Sequence, residues 1–263
     1  MSLHTYREDG DGLPLVLLHG FPLDHRMWDD VARQLPAGRP VHAVDLPGTP
    51  GNASDLPEPA LEASADLVAA AMRAAGVERA VVAGLSMGGY VALALVERHP
   101  DLVAALALVD TKSTADAPEA RANRLRIAAE AEESGSVDPV RPMVSSLLGE
   151  STRSSRPEVA DEVMAWIDQQ EPAGIAWSQR AMAARPDRSE VLHAFGGPVV
   201  VVVGDEDTVT PVEAAEHLVA TSEQARLVVV PRAGHLSSVE EPAAVAAALA
   251  DLAQAADATS DEG

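Results

Sequence analysis

The chain has 263 residues, 47% hydrophobic and 23% charged, enough to bury one sizeable core and too apolar for a disordered chain. Its 41 acidic residues outweigh 19 basic ones, and the formal charge of −22 argues against nucleic acid and anionic membranes as partners. With no cysteine, disulfides, thiolate metal sites and cysteine nucleophiles are excluded together.

The first dozen residues are polar and acidic, without a basic and then apolar leader pattern. The longest apolar runs fall far short of the ~20 residues of a membrane span, so a soluble cytoplasmic protein is the expectation. Met1-Ser2-Leu3 and Glu262-Gly263 are set aside from the fold reasoning as terminal additions. Near-continuous apolar runs then follow at 13–18, 41–44, 80–83, 104–109, 198–203 and 227–230. Runs of this kind suit strands covered on both faces, as in a parallel sheet. Amphipathic patterns at 61–75, 87–98, 211–220 and 242–255 predict helices between them. The alternation predicts a doubly wound, mostly parallel α/β sheet.

From Lys112 to about Ala194 the alternation stops, and Pro-bounded helical pieces take over. About 80 residues is too long for a plain loop in a compact domain. The expectation is a helical cap at 112–194 over a core made of 1–111 and 195–256. Residues 257–263 are expected to be a disordered tail.

Gly84-Leu85-Ser86-Met87-Gly88-Gly89 sits between a predicted strand and a predicted helix. This is a G-x-S-x-G elbow in its strand-turn-helix context, with small residues where side chains would collide. Ser86 is the candidate nucleophile, and the Met87 amide, at a helix start, is a candidate oxyanion donor. A Walker-type phosphate loop would need Lys after Gly89, where Tyr90 stands. Leu18-His19-Gly20-Phe21-Pro22 follows the first apolar strand and can aim the Phe21 amide at the same oxyanion. His19 is read as a brace for that turn. Gly204-Asp205-Glu206-Asp207 ends a later strand, where an acid can orient a histidine, and Ala233-Gly234-His235 follows the next. One helix and one strand fit into the 27 residues between Asp207 and His235.

Over almost its whole length the chain resembles the α/β-hydrolase superfamily. It looks most like the cofactor-free branch of 3-oxoadipate enol-lactonases, small carboxylesterases and non-haem haloperoxidases. The motifs that carry the resemblance are His19-Gly20-Phe21, the elbow, Gly204 to Asp207 with Pro211, and Gly234-His235 with Glu241-Pro242. The resemblance implies a Ser86, Asp207, His235 triad, with Asp207 preferred to Asp205 because of its interval to Pro211. Asp110 is a third choice, since some families in this fold place the acid at the end of that strand. The family's usual D-x-R-G-x-G-x-S is altered here: Pro47 replaces the arginine, and the loop through Ser54 is longer.

The resulting expectation is hydrolysis of a small carboxylic ester or lactone through an acyl-enzyme. An enol-lactone bearing a carboxylate is the substrate type that the resemblance favours. Perhydrolysis, C–C bond hydrolysis, and ligand sensing with little turnover are the alternatives. No metal or organic cofactor is expected, because the remaining histidines lack ligand spacing. Trp166, Trp177, Met182 and Arg124 in the cap are candidate substrate contacts. Arg121, Arg124 and Arg126 form a basic cluster suited to a substrate carboxylate or, more simply, to a solvated helix face. His25 is a candidate for the entrance.

Overall fold

The computed structural model describes residues 2–260. The core opens with β1 (Ser2–Arg7), β2 (Leu15–Leu18), α1 (Asp29–Gln34), β3 (Val41–Asp45) and α2 (Leu61–Ala74). It continues through β4 (Ala80–Leu85), α3 (Met87–Arg98) and β5 (Val103–Val109). Between β5 and the next strand come α4 (Pro118–Ser134), α5 (Val144–Leu147), α6 (Glu150–Ser155), α7 (Pro157–Ile167), α8 (Pro172–Ala184) and α9 (Ser189–Ala194). The chain then returns through β6 (Val199–Gly204), α10 (Val212–Thr221), β7 (Ala225–Val230), α11 (Ser237–Glu240) and α12 (Pro242–Ser260).

The seven strands form one sheet in the order β1-β3-β2-β4-β5-β6-β7, all parallel except β1. Every residue of β2, β3, β4, β5 and β6 is buried, which is why those segments are apolar without alternation. Helices α1 and α12 pack on one another, and α12 also lies on β4 to β7. Elsewhere α2 and α3 form a pair, and α9 packs against α3 and α10. The strand order reverses around β2, whose neighbours are β3 and β4. The crevice beyond the carboxyl ends of β2 and β4 is the switch point at which such sheets place a site.

Two expectations need correction. Ser2–Arg7 forms an edge strand, although part of it was set aside as a terminal addition and no strand was expected there. Its polar residues are tolerated because it pairs only with β3, antiparallel, through Ser2↔Asp45 to Arg7↔Val41. The expected tail from Asp257 is helical as far as Ser260, and 261–263 lie outside the described residues. Asp257 accepts a hydrogen bond from the Leu13 amide at 3.0 Å and one from the Arg39 guanidinium at 2.8 Å, which hold the last turn on the core.

Within the segment between β5 and β6, α4 and α8 pack along each other. The piece around α5 and α6 is fastened to the loops after β6 and β7. Leu236 N–H donates to Leu147 C=O at 3.1 Å, and the Gly149 and Ser151 amides donate to Glu240 and Glu206 at 2.8 and 2.7 Å.

Candidate active site

Ser86 stands between β4 and α3 with φ 52° and ψ −110°, a strained conformation costing on the order of 1–3 kcal/mol. Its surroundings enforce the turn. A Cβ on Gly84 would lie 2.2 Å from the Gly88 carbonyl oxygen, and one on Gly88 would lie 2.2 Å from that of Leu18. Only glycine fits at either position. The Ser86 amide donates to Val109 C=O at 2.9 Å, and the Thr111 hydroxyl donates to Ser86 C=O at 2.8 Å. The strain is held by the sheet, and Oγ projects above it.

His235 lies on the loop after β7, with Nε2 2.9 Å from Ser86 Oγ. Its Nδ1 is 2.8 Å from Asp207 Oδ2. With Nδ1–H donating to the carboxylate, Nε2 is left bare and can accept the serine proton. Asp207 also accepts from the Val209 and Thr210 amides at 2.7 and 3.0 Å and from the Thr210 hydroxyl at 2.7 Å. Burial disfavours charge on both partners. Their hydrogen bond and mutual attraction prevail, so the Asp207 carboxyl lies below and the His235 imidazole above its ordinary value.

The acids near this histidine, among them the candidates Asp205, Asp110 and Asp207, are separated by direction. Asp205 turns to the Arg232 amide at 2.6 Å, and Glu206 turns to Ser151 of the cap segment. Asp110, fully buried at the end of β5, accepts from the Gly204 amide at 3.0 Å and from the Ser237 amide and hydroxyl at 3.1 and 2.6 Å. Burial, and then repulsion from Asp207, push its carboxyl up to about 8. Asp207 alone of these four makes a hydrogen bond to His235.

The β2 loop is braced as its sequence suggests. His19 Nε2 accepts from the Leu46 amide at 2.9 Å, so Nδ1 carries the proton and donates to Gly20 C=O at 3.1 Å. Burial holds this imidazole below its ordinary value, against the opposing hydrogen bond. Phe21 follows in this loop, and Met87 is the first residue of α3, so its amide has no partner within the helix. Both residues line a narrow cleft shared with Pro47 and with Gly174, Ile175 and Ser178 of α8. The altered loop closes one side of this cleft. Gly48 presses so tightly on Gly174 that a Cβ on the latter would overlap the Gly48 carbonyl. A roomier hollow of about 580 Å³, beside Val103, Phe195 and Gly197, opens at the amino ends of the strands, away from Ser86.

None of the four expected substrate contacts lines the cleft. Trp177 donates through Nε1 to Pro57 C=O at 2.6 Å and pins α8 to the segment before α2. Trp166 lies under the Arg26 guanidinium, in a groove with Arg33 and Arg156. Met182 is buried, its sulfur 3.3 Å from the Arg124 guanidinium, while Arg124 Nε donates to Asp116 at 2.6 Å. Of the other two arginines of that cluster, Arg126 donates to Glu130 on the exposed surface at 2.6 Å, and Arg121 is exposed. His25 donates its backbone amide to Asp45 at 2.9 Å, and its ring stacks on His4. Asp24, His25 and Asp45 are close enough to share a cation, but Asp24 already pairs with Arg26 and His25 with Asp45.

Sequence reasoning missed three participants. Thr210 binds both Asp207 and, at 3.2 Å, His235 Nδ1. Thr111 supports the elbow. Glu240 is fully buried and accepts from the Gly234 and Gly149 amides, both at 2.8 Å, joining the histidine loop to the cap segment. The threonine inside Asp207-Thr208-Val209-Thr210 was a readable signal, since Asp and Thr three apart form such turns. Glu240 carried none.

Known proteins resemble this chain in sequence and in fold. The model of the alpha/beta hydrolase fold matches residues 14–242. A pimeloyl-[acyl-carrier protein] methyl ester esterase of Neisseria meningitidis is 32% identical over 261 residues, spanning 91% of this chain and 93% of that one. A malate-bound thermophilic esterase from Thermogutta terrifontis superimposes with a TM-score of 0.91 at 35% identity, covering 97% and 93% of the two chains. The enol-lactonase of Burkholderia xenovorans shares the fold, with a TM-score of 0.86 at 23% identity over 96% of each chain. On the matched model, on these relatives and on the elbow at the switch point of its sheet, the chain belongs to the α/β-hydrolase family.

Proposed function

We propose that this chain hydrolyses a small carboxylic ester or lactone through an acyl-enzyme on Ser86. It is an ester-cleaving enzyme of its family, and the two more similar relatives described above are both named esterases. The observation that carries the mechanism is the unbroken line Ser86 Oγ, His235, Asp207, at 2.9 and 2.8 Å. Ser86 attacks the carbonyl carbon while Nε2 of His235 takes its proton. The Phe21 and Met87 amides receive the oxyanion, and collapse of the tetrahedral species expels the alkoxide, which takes the proton from His235. Water then repeats the sequence on the acyl-enzyme and releases the acid. Asp207 keeps the productive tautomer and offsets the imidazolium charge in a buried site. The tight contact of Gly48 with Gly174 narrows the space beside Phe21 and Met87, which favours a small acyl group over a long one.

A panel of p-nitrophenyl esters from acetate to palmitate, run beside several lactones, tests this reading. Multiple turnover is expected, falling as the acyl chain lengthens. A fluorophosphonate should label the wild type once, and Ser86→Ala should abolish both labelling and turnover. Single turnover would favour a sensor, and preference for the longest chains would refute the small-substrate reading.

A further inference from the structure

Two glycines from distant parts of the chain meet behind the His235 loop. A Cβ on Gly234 would fall 2.3 Å from the Gly149 nitrogen, and one on Gly149 would fall 2.8 Å from the Gly234 nitrogen. Gly149 precedes α6, in the segment between β5 and β6, and Gly234 immediately precedes His235. Neither position has room for a side chain, so the backbones touch directly, and each brings an amide N–H that needs an acceptor. Glu240 serves both. Its side chain is fully buried, and it accepts from Gly234 through Oε1 and from Gly149 through Oε2, each at 2.8 Å.

The same carboxylate reaches past the histidine. Oε1 also accepts, at 3.3 Å, from the Leu236 amide, which donates to Leu147 C=O at 3.1 Å as well. The residues on either side of His235 are therefore anchored to one side chain, whose second oxygen ties them to Gly149. Two residues further on, Ser151 holds Glu206, the neighbour of Asp207, through its amide at 2.7 Å and through its hydroxyl. One short stretch, 147–151, thus meets both the loop of the histidine and the loop of the acid.

Glu240 also acts by charge. Burial lifts its carboxyl above the ordinary value, against the Thr152 hydroxyl and the three amides, which favour the ionised form. Nearby, Arg156 spends Nη1 on the Glu240 main-chain carbonyl at 2.7 Å and Nη2 on Thr152 and Glu241. Burial lowers the His235 imidazole, while the carboxyls of Asp207, Asp110 and Glu240 raise it.

We infer that Glu240 is a positioning residue for His235, fixing the backbone on both sides of the imidazole against residues 147–149 so that Nε2 stays in line with Ser86 Oγ. This rests on the esterase reading above and adds to it the group that keeps the base in place.

The test is Glu240→Gln on a short-chain p-nitrophenyl ester, scored as kcat and KM per site titrated by a fluorophosphonate. The amide keeps one acceptor, so either the Gly149 or the Gly234 N–H is left facing an NH2 group. As the base is displaced, kcat should fall roughly ten- to a hundredfold with KM nearly unchanged. The pH at which kcat is half maximal should also move down, because a negative charge near the imidazolium is gone. Thr152→Val, which takes one donor from the same carboxylate at nearly constant volume, should lower kcat by a smaller factor, and it carries the test if Glu240→Gln does not fold. A loss of thermal stability with kcat per site and its pH midpoint unchanged would overturn the positioning role while leaving the esterase intact. A rise in KM with kcat unchanged would do the same. No turnover of any ester by the wild type would overturn the esterase reading and the positioning role with it.

Discussion

Replacing Asp207 by Asn should reduce turnover far more than the loss of one charge suggests, because the surroundings dictate how the amide will sit. In the native protein Oδ1 accepts from two backbone amides, those of Val209 and Thr210, at 2.7 and 3.0 Å. An asparagine must keep its oxygen there, and its NH2 then replaces Oδ2 opposite His235 Nδ1. That NH2 donates to Nδ1 and drives the imidazole proton onto Nε2, the atom 2.9 Å from Ser86 Oγ. The base is then in the wrong tautomer. A loss of about 10⁴ in kcat is expected, equivalent to about 5.5 kcal/mol of barrier. Turnover needs His235 unprotonated, so the wild-type rate should rise with pH around a value above the ordinary histidine pKa of about 6.5. Asparagine removes the strongest of the interactions that raise His235, its hydrogen bond and attraction to Asp207, so the residual activity should rise at lower pH. Stability changes with the opposite sign for the two partners. The lowered Asp207 contributes stability above its unfolded pKa and loses it as pH falls through its folded value. The raised His235 contributes below its unfolded pKa and loses it as pH rises through its folded value. Stopped-assay kcat profiles from acid to alkaline pH, with thermal melts of both proteins, measure all of this. A variant within tenfold of wild type, or a greater loss from Asp110→Asn, would refute the assignment of Asp207.

Three further outcomes follow from particular contacts. Asp110 has a folded value of about 8, so the stability it contributes is present below its unfolded pKa and lost as pH rises through that value. The melting-temperature deficit of Asp110→Asn should therefore shrink as pH rises from about 4 towards 8, and a constant deficit would contradict a neutral, buried Asp110. Gly88→Ala forces a Cβ onto the Leu18 carbonyl and should abolish activity or folding, as read by labelling and circular dichroism. Asp257→Ala removes the acceptor shared by Leu13 and Arg39 and should cost about 1–2 kcal/mol in urea unfolding, with kcat nearly unaffected.

The sheet and the chemical motifs were legible because their demands are local. A strand covered on both faces must be apolar along its whole length, and β2 to β6 announce themselves by that alone. The elbow needs small residues two places either side of Ser86, and the order of nucleophile, acid and histidine follows the order of the strands. Other features depended on partners distant in the chain. Ser2–Arg7 is a strand only because β3 offers its edge, and the last turn of α12 holds through Leu13 and Arg39, more than two hundred residues away. Asp205, Glu206 and Asp207 are chemically near-equivalent in sequence. Their directions differ because Arg232, Ser151 and His235 draw them to three different elements. Between β5 and β6, helical periodicity says which residues share a face but not which neighbour that face meets. The packing of α4 on α8 turned Arg124 towards Asp116, and Trp177 was drawn to Pro57. Residue type and spacing therefore determined which groups are able to carry such chemistry, whereas long-range packing decided where each of them points.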